Sequence, residues 1–195
     1  WIAGESGARV RAFARTPDAL ADTGAEVVRG DVLDPESLVR ALRGVTRVVC
    51  VLGSRPGKSG AHLLSDGTRN LVSAMQETAV SRLVIVTGMG AGSSRGHGPL
   101  WYDALVRPTI LRGVYADKEQ QEEIVRASAL DWTIVRPAVL VAKPQTRPVV
   151  AKAELARREK MGSLTRDDVA RFLIPEATSP KFLQQTVHLY TGTPQ

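Results

Sequence analysis

Short apolar runs alternate with amphipathic stretches along most of the chain. The apolar runs predict strands at 9–14, 47–52, 82–87, 132–136 and 186–190. Helical spacing and capping signals predict helices at 34–44, 60–79, 118–129 and 166–176. Strands that are apolar throughout are typical of a parallel sheet covered by helices on both faces. The pattern therefore predicts an α/β fold in a single domain spanning 1–195.

The helix predicted at 34–44 carries its own start and stop signals. Asp34 can cap its amino terminus, and Pro35 suits its first turn. Gly44 can adopt the left-handed conformation that ends a helix. The late helix at 166–176 has two candidate caps, Ser163 and Thr165.

The composition is that of one ordinary globular domain. A chain of 195 residues is long enough for one well-packed core and short for two. No apolar run approaches the roughly 18 residues of a membrane span, so no membrane partner is expected. Cys50 is the only cysteine, which excludes an intrachain disulfide and fits a reducing, cytoplasmic setting. Three dispersed histidines and one cysteine give no metal-ligand spacing.

The net charge of +6 and the isoelectric point of about 9.9 would suit a nucleic-acid partner. The basic residues are scattered, however. Their densest cluster, at 157–160, contains Glu159 and has no interleaved aromatic residue. A solvated basic face is therefore favoured over a nucleic-acid site. Positive charge also suits an anionic cofactor, which needs only one or two well-placed cations.

Candidate binding residues follow each predicted strand. Ligands of an open parallel sheet bind at the carboxyl ends of its strands. Arg15 suits a 2′-phosphate, and Asp31 can accept a hydrogen bond from an adenine amine; a loop arginine and a turn cap are the alternatives. Glycines follow two of the later strands, at Gly53 and within 88–92, and they let a ligand approach the backbone closely. A third strand is followed by Pro137 and Ala138, and the proline ring fixes the chain there. Together these positions predict a flat, phosphate-bearing cofactor.

A Tyr, Asp and Lys cluster precedes the helix predicted at 118–129. Lys118 would lie at the head of that helix, with Tyr115 three residues before it. One large class of nicotinamide enzymes keeps its proton-transfer pair in such an arrangement.

The residues at 9–17, 30–34, 82–87, 117–119 and 131–137 resemble those of the atypical short-chain dehydrogenases/reductases. The resemblance is strongest to NAD(P)H-binding, NmrA-like proteins and to the biliverdin reductase B (flavin reductase) type. It implies a Rossmann-like, doubly wound parallel sheet that binds NADP(H) in preference to NAD(H). It further implies hydride transfer to a small, flat conjugated acceptor: a flavin, a quinone or a related carbonyl. The alternatives are an NADP-sensing protein without turnover and a scaffold that keeps only the fold.

The resemblance also implies roles for individual residues. Arg15 matches the residue that binds the 2′-phosphate, Asp31 and Val32 match the residues that contact the adenine, and Leu52 and Gly53 match those beside the ribose. Thr87, Gly88 and Met89 match the residues beside the nicotinamide. Lys118 matches the ligand of the nicotinamide ribose, and Pro137 and Ala138 match the residues that flank the carboxamide.

Two positions depart from the family pattern of proton donors. Gly88 stands where many relatives have a serine, and Val114 stands where the Tyr-x-x-x-Lys spacing would place the tyrosine. Tyr115 is one residue off, which turns its side chain by about 100° on a helix. Thr87, Tyr115, Tyr102 or His97 can replace the missing donors, as can solvent.

The segment at 88–113 is the longest irregular stretch, and we expect it to form a substrate-side loop. Trp101 and Tyr102 are candidates for stacking on the substrate or for anchoring the loop, and His97 is a candidate base or a surface histidine. A second irregular stretch, at 141–161, is expected to add a small substrate-side element.

The family's first strand and its Gly-x-x-Gly-x-x-Gly loop are not found in the sequence. Ile2 to Gly7 leaves too few residues before the next strand for a parallel crossover. That first strand is central in the order 3-2-1-4-5-6, so we expect a gap in the middle of the sheet. We also expect the natural protein to extend before Trp1.

Overall fold

Strands and helices alternate through the chain, as the apolar pattern predicts. The computed structural model describes residues 7, 9–54, 60–89, 112–143, 146–156, 159 and 161–192. Its elements are β1 (Arg11–Ala14), a 3-10 helix (Pro17–Thr23), β2 (Glu26–Arg29), α1 (Pro35–Leu42), β3 (Arg47–Cys50), α2 (Leu63–Glu77), β4 (Arg82–Val86), α3 (Arg112–Ala127), β5 (Asp131–Pro137), β6 (Val149–Lys152), α4 (Arg166–Thr178) and β7 (Gln185–Thr191). The predicted α/β class and single domain are confirmed.

The strands form two sheets. Five of them lie in the order β3-β4-β5-β7-β6, and the other two form a separate parallel pair, β1-β2. All neighbours in the larger sheet are parallel except β6, which pairs antiparallel with β7. A cleft of about 960 Å³ is lined by residues of both sheets, among them Val10, Arg11, Arg47 and Val49. The predicted gap is therefore present, between β1 and β3.

The larger sheet is covered on both faces. Successive side chains of a strand point to opposite faces, so Leu83 and Ile85 of β4 pack with α1, α2 and α3. Val84 points the other way and packs with Leu173 of α4. Each fully buried aliphatic side chain contributes roughly 1.5–3 kcal/mol relative to its exposed state. This two-sided burial accounts for the continuous apolar run at 83–86 in β4.

Local capping signals were read correctly from the sequence. The Asp34 side chain accepts a hydrogen bond from the Glu36 amide at 3.1 Å, and Gly44 has a φ of +75° just after α1. Thr165 caps α4, and its reciprocal bonds with Asp168 form a capping box. These caps need only neighbouring residues, which is why sequence alone identified them.

Two expectations need correction. The helix predicted at 118–129 begins earlier, at Arg112, so Lys118 lies in its second turn and not at its head. The extra turn is stabilised by a tertiary contact, because Asp117 accepts hydrogen bonds from the amides of Leu64 and Ser65 at the start of α2. The irregular stretch at 141–161 also contains an edge strand, β6.

A buried ion pair fastens α4 to the end of the sheet where β4 begins. Arg82 donates to the Glu176 carboxylate at 3.1 Å, and both side chains are almost fully buried. The same carboxylate accepts from Thr133 of β5 at 3.0 Å and from the amides of Lys181 and Phe182. Glu176 therefore satisfies donors from three parts of the chain.

Replacing Glu176 with alanine should destabilise the protein by about 3–5 kcal/mol, because it leaves Arg82 as a buried, unpaired charge. Urea unfolding at neutral pH measures the loss. The control is Glu36→Ala, which removes an exposed ion pair with Arg40 and should cost less than about 1 kcal/mol. Equal losses in the two variants would show that the buried pair is not a main fastening of α4.

Candidate functional site

The residues predicted to flank a nicotinamide ring lie side by side at the carboxyl ends of the neighbouring strands β4 and β5. The backbone ladder continues past the assigned strand ends: the Thr87 amide donates to Val135 at 2.9 Å, and the Met89 amide donates to Pro137 at 3.1 Å. The Ala138 amide donates in turn to Leu189 at 2.8 Å. The backbone of residues 87–89 after β4 and of residues 137–138 at the end of β5 is thus hydrogen-bonded into one continuous surface, which we call the floor.

Lys118 reaches this floor from α3. Its Nζ donates to the Thr87 carbonyl at 2.8 Å and lies 5.8 Å from the centre of the Tyr115 ring. The Tyr115 hydroxyl donates to the Met89 carbonyl at 3.1 Å. Burial lowers the pKa of Lys118, and the charge of Glu122 partly opposes this effect. The structure therefore brings Thr87, Met89, Tyr115 and Lys118 together.

The Lys118 amine lies close to Gly88. A Cβ atom built on Gly88 would lie 2.8 Å from the Lys118 Nζ, which is closer than such contacts are found. The φ of Gly88 is +150°, a backbone conformation that favours glycine. The backbone conformation at position 88 thus favours glycine over serine in this chain.

A buried carboxylate that sequence reasoning missed lies behind the floor. Glu122 is 1% exposed and accepts from the Thr87 hydroxyl at 2.7 Å. It also binds Arg136 of β5 through two hydrogen bonds, at 2.9 and 2.6 Å, and Arg126 at 2.7 Å. Burial favours the neutral acid, but the hydrogen bonds and charge of Arg136 outweigh it, so the pKa of Glu122 is lowered. The sequence carries one signal for it: Arg136 follows the apolar residues Ile134 and Val135 in a predicted buried strand, and a buried guanidinium needs an anion.

The residues predicted to contact the adenosine lie at the ends of β1, β2 and β3. Arg15 is exposed just after β1, and Asp31 accepts from the Leu33 amide at 3.0 Å in the turn after β2. The side-chain amide of Asn70 donates to the Val32 carbonyl at 3.0 Å.

Gly67 of α2 lets Val32 and Leu52 approach the helix. A Cβ atom at position 67 would lie 2.8 Å from Val32 and 3.1 Å from Leu52. A Cβ atom at Gly53 would meet nothing within 4 Å, so the backbone there is open to a ligand. Val32 and Leu52 thus both pack against α2 at Gly67.

The irregular stretch at 141–161 is attached beside Met89. Ala138, Val150 and Tyr190 form a small buried cluster against which Met89 packs. The Tyr190 hydroxyl donates to Glu159, and Lys152 binds the same carboxylate at 2.8 Å. The hydrogen bonds from Lys152 and Tyr190 lower the pKa of Glu159 to about 2. Burial and this carboxylate raise the pKa of Tyr190.

Three predicted substrate residues, His97, Trp101 and Tyr102, lie outside the described residues. Within the described residues, no group of three or more His, Cys, Asp or Glu side chains is arranged to hold a metal ion. No helix in that part of the chain has the length and apolarity needed to cross a membrane.

Comparison with known proteins gives the chain its family. A family model described as NAD(P)H-binding matches residues 2–180. A Bacillus subtilis protein named an uncharacterised sugar epimerase, YhfK, is 30% identical over 172 residues, which is 85% of this chain and 74% of that protein. Relatives from Arabidopsis thaliana and Saccharomyces cerevisiae are longer, and the matches span 55% and 53% of their lengths.

Solved structures share the fold. ChuY from Escherichia coli O157:H7, described as an anaerobilin reductase, superposes with a TM-score of 0.76 at 23% identity, covering 100% of this chain and 90% of that one. A short-chain dehydrogenase/reductase from Veillonella parvula in complex with NADP superposes with a TM-score of 0.73 at 17% identity, covering 95% and 83%.

The carboxylate of Glu122 should make the protein sensitive to acid. The pKa of Glu122 in the folded protein is lowered from 4.5. Its contribution to the free energy of unfolding is therefore complete above pH 4.5 and is lost as the pH falls through the folded-state pKa. Glu122→Gln should cost roughly 3 kcal/mol at pH 7 and should flatten the fall in the free energy of unfolding below pH 4.5. Urea unfolding from pH 7 to pH 2 measures both, with the exposed Glu123→Gln as control. Equal acid sensitivity in both variants would contradict the assignment.

Proposed function

The chain belongs to the NAD(P)H-binding family, and from that premise we propose that it is an NADPH-dependent reductase of a small, flat conjugated acceptor such as a flavin, a quinone or a related carbonyl. The observation that carries the proposal is the convergence of Lys118, Gly88 and the linked ends of β4 and β5 on one floor. A bound nicotinamide cofactor would supply the hydride there.

The described residues fit the two ends of such a cofactor. An ammonium group has three N–H donors, and the Thr87 carbonyl uses one of those on Lys118, so a second suits a ribose hydroxyl. Pro137 and Ala138 supply fixed backbone beside that position. At the other end, Val32 and Leu52 are drawn together against α2 to form a wall that suits an adenine.

Arg15 supports a preference for NADPH over NADH. It is exposed at the carboxyl end of β1, where a guanidinium can bind a 2′-phosphate through two hydrogen bonds. No carboxylate stands at that position to favour a free 2′-hydroxyl. The net charge of +6 also favours the more anionic cofactor.

Reduction of a flat acceptor is supported by the name of ChuY, a protein of the same fold that is described as an anaerobilin reductase. A planar acceptor can stack on a nicotinamide without a deep pocket, so that the reacting atoms approach closely. Trp101, Tyr102 and His97 remain the candidates for contacting the acceptor.

A second candidate function is sensing of NADP(H) without turnover. Gly88 and Val114 favour it, because neither position carries the hydroxyl that a serine and a tyrosine would supply for proton transfer. Binding of the cofactor is common to both functions, so turnover separates them.

Arg15→Ala should raise the dissociation constant for NADPH by about 10- to 100-fold, the worth of one charge-assisted interaction with a phosphate. The constant for NADH should change by less than about twofold. Nicotinamide fluorescence measures both. Arg40→Ala, which removes an exposed arginine of α1, is the matched control. Equal effects of Arg15→Ala on the two cofactors would show that Arg15 does not bind the 2′-phosphate.

The wild-type protein should oxidise NADPH when a flavin or a quinone is present, followed as the loss of absorbance at about 340 nm. Lys118→Met should weaken NADPH binding and abolish most of this activity, because it removes the donors nearest the floor. Tight binding of NADPH without oxidation by any flavin, quinone or conjugated carbonyl would favour the sensor.

A further inference from the structure

The described hydroxyl groups nearest the floor already donate their protons to fixed acceptors. The Thr87 hydroxyl donates to the buried Glu122 carboxylate at 2.7 Å, and the Tyr115 hydroxyl donates to the Met89 carbonyl at 3.1 Å. Gly88, between them in the fold, has no side chain. Neither hydroxyl is therefore directed at a reacting group above the floor.

The Lys118 ammonium occupies the space that a side chain at position 88 would take. Its Nζ lies 2.8 Å from the place of a Cβ atom on Gly88 and 2.8 Å from the Thr87 carbonyl oxygen. Only one of its three protons is needed for that carbonyl. The floor thus has a proton donor at residue 88 that is supplied by α3 and not by the residue itself.

The surroundings of Lys118 favour release of a proton. Among the described residues, Glu122 and Tyr115 on its own helix act on it, and Arg136 of β5 binds Glu122. Asp117 is committed to the amides at the start of α2, and the floor residues of β4 carry no charge. Because the Glu122 charge is shared with Arg136 and Arg126, it offsets only part of the burial, and the pKa of Lys118 stays lowered.

We propose that Lys118 is the proton donor of the reduction, an inference that rests on the proposed function. With a quinone as acceptor, the nicotinamide hydride supplies two electrons and one hydrogen. One N–H bond of Lys118 breaks, and its proton goes to the oxygen that becomes negatively charged. The products are a hydroquinone, the oxidised cofactor and a neutral Lys118 amine, which takes a proton from water before the next turnover. Lys118 is then a catalytic residue in addition to a ribose ligand.

The pH dependence of quinone reduction tests this role. The wild-type rate constant, measured in single turnovers with NADPH prebound, should be constant at low pH and fall as the pH rises through the pKa of Lys118. Lys118→Arg keeps a positive charge but cannot act as an acid in this range. It should lower the rate constant by about 100-fold or more and remove the falling limb. Lys181→Arg, at an exposed lysine, should leave both unchanged.

A second measurement tests the same role of Lys118 without turnover. The pKa of Lys118 in the cofactor-free protein is measured by carbon-detected NMR of its ε-methylene group, assigned by the loss of that signal in Lys118→Arg. It should lie below the ordinary lysine value of about 10.4. Titration at or above that value would overturn the proposal, as would a falling limb that persists in Lys118→Arg. If the wild type oxidises no NADPH, the proposed function itself is wrong. If the wild type does oxidise NADPH and the rate constant of Lys118→Arg still falls at high pH, only the role of Lys118 as proton donor is wrong.

Discussion

The Glu122 carboxylate is the contact on which the arrangement of this site depends. It is buried between α3 and the sheet, and it binds Arg136 of β5 and the Thr87 hydroxyl just after β4. A buried carboxylate is costly unless its oxygen atoms are satisfied, and here four donors satisfy them. The helix is therefore held in one register on the two strands. Lys118, one turn earlier, is placed over the Thr87 carbonyl as a result.

The candidate site is divided between two sheets that differ in size and in burial. The residues proposed to flank the nicotinamide belong to the five-stranded sheet, which is covered on both faces. Arg15 and Asp31 belong to the two-stranded pair, which lies across the cleft from β3. Arg11 reaches from that pair to α1, donating to the carbonyls of Ala41 and Arg43 at 2.8 and 2.7 Å. These contacts and the packing of Phe13 connect the pair to the core.

Features that depend on neighbouring residues were predictable from the sequence, and features that depend on tertiary contacts were not. The Asp34 cap, the Gly44 exit and the alternating buried strands follow from local signals. The gap in the sheet followed from the number of residues that a parallel crossover needs. The early start of α3 depends on Asp117 meeting α2, 52 or 53 residues away in sequence. Glu122 looked like any solvated helical glutamate, because its partners come from β4 and β5.

The close approach of the Lys118 amine to Gly88 couples the two positions energetically. Any side chain at position 88 would meet the lysine amine, and it would also have to adopt a backbone conformation that favours glycine. Substitutions at the two positions are therefore not additive, since a shorter residue at 118 removes part of the cost of a side chain at 88. A side chain introduced at position 88 would therefore displace the Lys118 amine from the Thr87 carbonyl, and the cost of that change depends on which residue stands at position 118.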